Sequence, residues 1–171
     1  TFRGADGARI VSDSALSSVL GVYDSTGVTF DNVAFARGKA AAEDPGAGSL
    51  YAESVQGLTV DRCSFEAGTT VAIELWECSG VRIKRAKVSG AYSGAVSASY
   101  CDDIEVSDSS VAGCEGYPLV YLEETNGVLF KSTKFADNVG GNFIEIYAEE
   151  VDAESIVFMG CSFSGNEFDY F

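Results

Sequence analysis

The chain has 171 residues, 46% of them hydrophobic, which is enough for one folded domain and too apolar for a disordered segment. It carries 26 acidic against 11 basic residues, a net charge of −15. That balance argues against nucleic acid and anionic membranes as partners, because phosphate contacts need clustered Lys and Arg. Histidine is absent, which excludes Ser-His-Asp and Cys-His catalysis and His-based zinc sites.

The chain opens at Thr1-Phe2-Arg3-Gly4, already in strand-like text, and continues with Ala8-Arg9-Ile10-Val11. It has no initiator Met and no signal-like start, so residues 1–171 are expected to be a single domain cut from a longer protein. No stretch is apolar over the roughly 18 residues a membrane helix needs.

From residue 20 onward one pattern recurs. Leu20-x-Val22 precedes Gly27-Val28-x-Phe30-x-x-Val33-x-Phe35-x-x-Gly38. Leu50-x-Ala52 precedes Gly57-Leu58-x-Val60-x-x-Cys63-x-Phe65-x-x-Gly68. Ile73-x-Leu75 precedes Gly80-Val81-x-Ile83-x-x-Ala86-x-Val88-x-Gly90. Val96-x-Ala98 precedes Asp103-Ile104-x-Val106-x-x-Ser109-x-Val111-x-Gly113. Val120-x-Leu122 precedes Gly127-Val128-x-Phe130-x-x-Thr133-x-Phe135. Ile144-x-Ile146 precedes Ser155-Ile156-x-Phe158-x-x-Cys161-x-Phe163-x-Gly165-Asn166. The first apolar position steps through 28, 58, 81, 104, 128 and 156, intervals of 30, 23, 23, 24 and 28. The two long intervals place insertions at residues 38–49 and near 149–154.

Alternation with period two reads as strands, and nothing in the chain shows the 3.6-residue spacing of a helical repeat. One such unit cannot bury its apolar face alone, whereas units stacked about 4.8 Å apart close a continuous core. The expected fold is all-β: a right-handed, single-stranded parallel β-helix of about six to seven coils with repeats of roughly 23 residues.

These coils resemble the right-handed parallel β-helix repeat of the pectate-lyase-like superfamily, and the opening resembles an early coil of such proteins. The resemblance covers nearly the whole chain. It implies the fold but leaves the activity open, because the superfamily holds lyases, hydrolases, esterases, epimerases, adhesins and non-catalytic modules. It carries over no catalytic residue. Pectate lyases use an Arg base with Ca²⁺ held by Asp, pectin methylesterases use paired Asp with Arg, and polygalacturonases add a His.

The register predicts which side chains stack. Val33, Cys63, Ala86, Ser109, Thr133 and Cys161 form one inward column, so Cys63 and Cys161 are expected to be inert thiols about 19 Å apart. Ser25, Val55, Cys78, Cys101 and Thr125 form another. There Cys78 and Cys101 are neighbours, either as stacked free thiols or as a disulfide, for which in-register parallel strands are a poor geometry. Cys114 falls in a turn. The basic run Arg82, Lys84, Arg85, Lys87 is expected to pair across coils, Arg82 with Glu105, Lys84 with Asp61 and Arg85 with Asp108.

The upstream strand points two residues per coil outward. One column is Gly21, Tyr51, Glu74, Ser97, Tyr121, Glu145; the other is Tyr23, Glu53, Trp76, Ser99, Glu123, Tyr147. Aromatic faces pack on apolar sugar faces and carboxylates accept hydrogen bonds from hydroxyls. Tyr51, Glu53, Glu74, Trp76, Tyr121, Glu123, Glu145 and Tyr147 are therefore the candidate ligand-binding residues, with Ser97 and Ser99 as a low point in their midst. In the resembling enzymes the substrate cleft lies along a comparable face.

The expected role is a non-catalytic, secreted or cell-surface module that recognises a polysaccharide. The alternatives are a polysaccharide lyase or glycoside hydrolase using Glu74, Glu123 or Glu145, and a structural spacer or adhesin segment. Asp102, Asp103, Glu124, Glu149, Glu150 and Asp152 crowd the following turn, where hard oxygen ligands suit Ca²⁺, the one candidate cofactor; a solvated acidic rim is the plainer alternative. The aromatic tail Asn166–Phe171 either covers the last coil or continues into another, so end-to-end self-association or adjoining coils of a longer chain are expected partners.

Overall fold

The computed structural model describes residues 1–38, 47–66, 68–149 and 155–170, and most of both insertions lies outside them. The strands stack in parallel into three long sheets. The first holds Phe2–Arg3, Thr29–Asp31, Thr59–Asp61, Ser79–Lys84, Asp102–Ser107, Asn126–Lys131 and Ile156–Met159. The second holds Arg9–Ser12, Ala34–Arg37, Ser64–Phe65, Lys87–Ser89, Ser110–Ala112, Lys134–Ala136 and Ser162–Ser164. The third holds Leu20–Tyr23, Leu50–Glu53, Thr69–Trp76, Ala91–Ser99, Val120–Glu123 and Ile144–Tyr147. A short fourth sheet of Glu115–Gly116, Val139–Asn142 and Glu167–Tyr170 widens the later coils, and the aromatic tail joins the stack as its last strand.

Register follows the repeat. Val81 pairs with Ile104 and Ile104 with Val128; in the third sheet Ile73 pairs with Val96 and Val96 with Val120. Every coil thus sends its alternate apolar side chains into one core, and residues such as Leu50, Val60, Phe65, Ile83, Ile104 and Leu122 are fully buried. The filling changes along the stack. Phenylalanines lie ring on ring toward both ends, Phe35 on Phe65 at 5.0 Å and Phe130 on Phe158 at 4.7 Å, while Ile83, Val88, Val106 and Val111 fill the same columns between them. Offset rings one coil apart match the strand spacing, which is why like residues stack so readily in this architecture.

The corners are held by side chains that satisfy backbone groups of the coil below. The Thr125 hydroxyl accepts from the Cys101 amide and donates to a backbone carbonyl, Ser109 accepts from the Ala86 amide, and the Asn138 carboxamide accepts from the Cys114 amide. Cys114 therefore belongs to a third corner column, continued by Asn138 and Asn166, whose side-chain oxygen accepts from the Asn138 amide. All five cysteines are free thiols, and Cys63, Cys78, Cys101 and Cys114 are buried. Cys78 and Cys101 are stacked as the register requires, with the Cys78 amide 3.3 Å from the Cys101 sulfur.

The basic run pairs differently from its expected register. Arg85 reaches Asp61 at 2.5 Å, one coil back, and not Asp108. Arg82 binds chiefly Asp103 at 2.6 Å, with Glu105 more distant at 3.9 Å. Arg85 sits at a left-handed corner with φ of 51°, which turns its long side chain toward the preceding coil and gives Arg85, in place of Lys84, the Asp61 carboxylate.

Candidate functional site

The two outward columns of the third sheet fall in the order the sequence predicts. Tyr51 pairs with Glu74, Glu74 with Ser97, Ser97 with Tyr121 and Tyr121 with Glu145. Beside them Glu53 pairs with Trp76, Trp76 with Ser99, Ser99 with Glu123 and Glu123 with Tyr147. This register is fixed because the strands' other faces bury Leu50, Ala52, Ile73, Leu75, Val96, Ala98, Val120 and Leu122.

The strip has three parts. At one end Tyr23 and Tyr51 pack with ring centroids 5.8 Å apart, and the Tyr51 hydroxyl donates to Glu53 at 3.0 Å. Burial, and then the Glu53 carboxylate, push the Tyr51 phenol up to about 12, so it acts as a fixed donor at any ordinary pH. At the centre is a cleft of about 330 Å³ lined by Ser97, Tyr121 and Glu145 of the strip together with Val71, Val96, Ser93, Gly94, Tyr117 and Pro118. At the far end Tyr100, Glu123, Glu124, Tyr147 and Glu149 surround a more open hollow of about 470 Å³, and Trp76 packs edge-on against Tyr100 at 5.1 Å. Trp76 and Tyr147 are exposed, which leaves ring faces available to a ligand.

The carboxylates are not equivalent. Glu123 accepts a hydrogen bond from the buried Ser99 hydroxyl at 3.0 Å, and Glu145 accepts from the Asn142 amide nitrogen at 3.0 Å. Ser99 thus serves as a support for Glu123, and only Ser97 of the two serines lines the cleft. Glu74 is half-buried, lacks a hydrogen-bond partner among the described residues, and is raised above the ordinary carboxylate range by burial. The Glu123 charge, with burial behind it, raises the Tyr100 phenol, while burial first and then Glu123 and Glu145 raise Tyr121.

Of the Ca²⁺ candidates, Asp102, Asp103, Glu124 and Glu149 are described, and Glu124 and Glu149 line the far hollow with Glu123. Among the described residues no group of three or more acidic or sulfur side chains is placed to hold a metal ion. Asp103 faces away into the Arg82 ion pair, and Glu124 accepts from the Glu149 amide at 2.8 Å. Glu150 and Asp152 lie outside the described residues.

Sequence periodicity does not reveal Tyr117, Pro118, Ser93 and Gly94, because they lie outside the repeating columns. The strand Ala91–Ser99 is irregular between Ala91 and Gly94 where it pairs with Thr69–Trp76. A side chain at Gly94 would place its Cβ 2.8 Å from the Pro118 carbonyl oxygen, so the cleft wall depends on a glycine there. That glycine inside a strand-like run was the one available signal.

Residues 18–169 match the family model described as the right handed beta helix region, and the parallel three-sheet solenoid agrees with it. No curated protein and no solved structure matches the chain. The resemblance to the pectate-lyase-like superfamily is consistent with that match, which spans most of the chain and places it in the right-handed β-helix family.

Proposed function

We propose that this chain is a non-catalytic module, working outside the cytoplasm, that recognises a polysaccharide along its third sheet. The observation that carries this reading is the cleft at Ser97, Tyr121 and Glu145, set midway along a strip of exposed and half-buried rings and carboxylates. A linear glycan laid along the stack meets a new pair of side chains at each ladder step, about 4.8 Å on. Rings take the apolar sugar faces and carboxylates take the hydroxyls. The test is a glycan-binding screen with and without Ca²⁺, on the wild-type chain and on Trp76→Ala. Binding that the variant loses with its fold intact supports the site; no binding in any condition overturns it.

A second reading, polysaccharide cleavage, draws on Glu74. Burial raises its carboxyl, the direction that favours a general acid, and Glu123 lies two ladder steps away, roughly 10 Å along the sheet. Chain shortening of a bound glycan that Glu74→Gln and Glu123→Gln abolish would favour this reading. A bound glycan recovered intact favours the first.

A further inference from the structure

The described basic side chains are confined to two of the three long sheets and the corner between them, whereas acidic ones occur on more than one face. Arg3, Arg82, Lys84 and Lys131 lie on the first sheet, and Arg9, Arg37, Lys87 and Lys134 on the second. Arg62 and Arg85 sit at the corner between those two sheets. No described Lys or Arg lies on the third sheet. Several cations are also spent on neighbours: Arg62 and Arg3 on Asp31, Arg85 on Asp61, Arg82 on Asp103, Arg9 on Glu66.

The third sheet has the opposite character. Of its five consecutive strands from Leu50–Glu53 to Ile144–Tyr147, four present a carboxylate outward: Glu53, Glu74, Glu123 and Glu145. The remaining one presents Ser97 at the floor of the cleft. The hydrogen bonds that Glu53, Glu123 and Glu145 accept come from neutral donors, so each keeps its charge uncompensated. Rings stand beside them: Trp76 and Tyr147 are exposed, and Tyr100 edges the hollow that Glu123 lines.

We infer that the glycan this strip takes is cationic, a polysaccharide of amino sugars carrying free protonated amines, and not a neutral or uronate chain. The inference rests on the polysaccharide reading above and narrows it. A protonated amine donates charge-assisted hydrogen bonds to a carboxylate and is attracted to a ring face, and this strip offers both side by side. The ladder step is close to the length of one pyranose residue, so successive amines can meet Glu53 and Glu74 on one side of the Ser97 coil and Glu123 and Glu145 on the other. A uronate chain would set its own carboxylates against four of the protein's with no described cation between them.

The experiment is isothermal titration of the whole chain with four matched oligomers: glucosamine, N-acetylglucosamine, a neutral β-linked glucan and galacturonate, at a pH where the amines are protonated. The glucosamine oligomer is expected to bind at least roughly tenfold tighter than its acetylated twin, the order expected from one charge-assisted hydrogen bond. Added salt should narrow that gap. Glu123→Gln/Glu145→Gln should erase the preference while a cooperative thermal transition shows the fold kept. Asp6→Asn/Glu105→Gln removes as much charge away from the strip and should leave the preference intact; an equal loss there would reduce the effect to general acidity and overturn the inference. Tighter binding of the acetylated, neutral or uronate oligomer overturns the cationic assignment and leaves polysaccharide recognition standing. Failure of all four to bind overturns both.

Discussion

Asp31 on the first sheet and Glu74 on the third both point outward from a parallel ladder, and their environments push them in opposite directions. Asp31 is gripped by Arg62 at 2.6 Å and Arg3 at 3.0 Å, and the Arg62 hydrogen bond leads the effects that hold its carboxyl below the ordinary range despite burial. Glu74 has no such partner among the described residues, and burial raises it. The same backbone therefore carries two kinds of surface. On the first sheet, opposite charges in adjacent coils neutralise each other and tie the stack together. On the third, carboxylates stand among rings with their charge unspent, an arrangement that contributes little to holding coils together and leaves binding capacity free.

The largest change expected is one that removes the ground both faces share. Phe65 is fully buried and stacked on Phe35, and Phe65→Ala should cost about 3–5 kcal/mol, the usual range for a deleted core aromatic. Denaturant unfolding should show the midpoint falling, with glycan binding weakened only in proportion to unfolded protein. Trp76→Ala sharpens the comparison, because it touches the third sheet's outer face alone. Glycan affinity should fall roughly tenfold or more, as for a lost aromatic anchor, while the melting temperature barely moves. A large drop in stability would show that Trp76 and Tyr100 serve mainly to hold their own corner together.

How far the sequence reveals this molecule follows from which features repeat. Strand register was legible because each coil must bury the same alternate positions, so aligning Val81, Ile104 and Val128 also aligns Glu74, Ser97 and Tyr121. The strip's membership was therefore readable before its shape. The cleft was not, because it arises where the repeat is broken, at the irregular strand beside Gly94 and the excursion through Tyr117 and Pro118. The ion pairs were legible in kind but not in partner. Backbone register places Lys84 beside Asp61, yet a corner residue in a left-handed conformation, Arg85, takes that carboxylate. The turn position of Cys114 is legible but its column is not, because that column is completed by Asn138 and Asn166 rather than by further cysteines.

The two carboxylates should also separate by pH. A carboxyl whose folded value is depressed contributes stability above its unfolded value and loses it as pH falls. Asp31 should therefore stabilise the chain above about pH 4, near its ordinary value of 3.8, and Asp31→Asn should lower the neutral-pH melting temperature and flatten the acid limb of the stability curve. Glu74 has the reverse sign. Its folded value is raised, so the folded chain holds its proton longer than the unfolded one, and stability declines as pH rises from about 4.5. Glu74→Gln should remove that decline and raise the neutral-pH melting temperature slightly. Thermal melts from pH 3 to 8 measure both, and matching slopes in the two variants would erase the contrast between the faces.

The smallest effect is expected from Arg85→Ala. Its guanidinium is mostly exposed and bonds Asp61 through two nitrogens, at 2.9 and 2.5 Å. Exposed pairs of this kind gain little over water and are screened by salt, so the melting temperature should shift barely beyond error at physiological ionic strength. Glycan affinity should not change at all, because Arg85 stands at the corner between the first and second sheets while the strip lies on the third. A fall in glycan affinity on losing Arg85 would mean that the first sheet's charges also take part in binding. The division of the molecule into a stabilising face and a recognising face would then have to be given up.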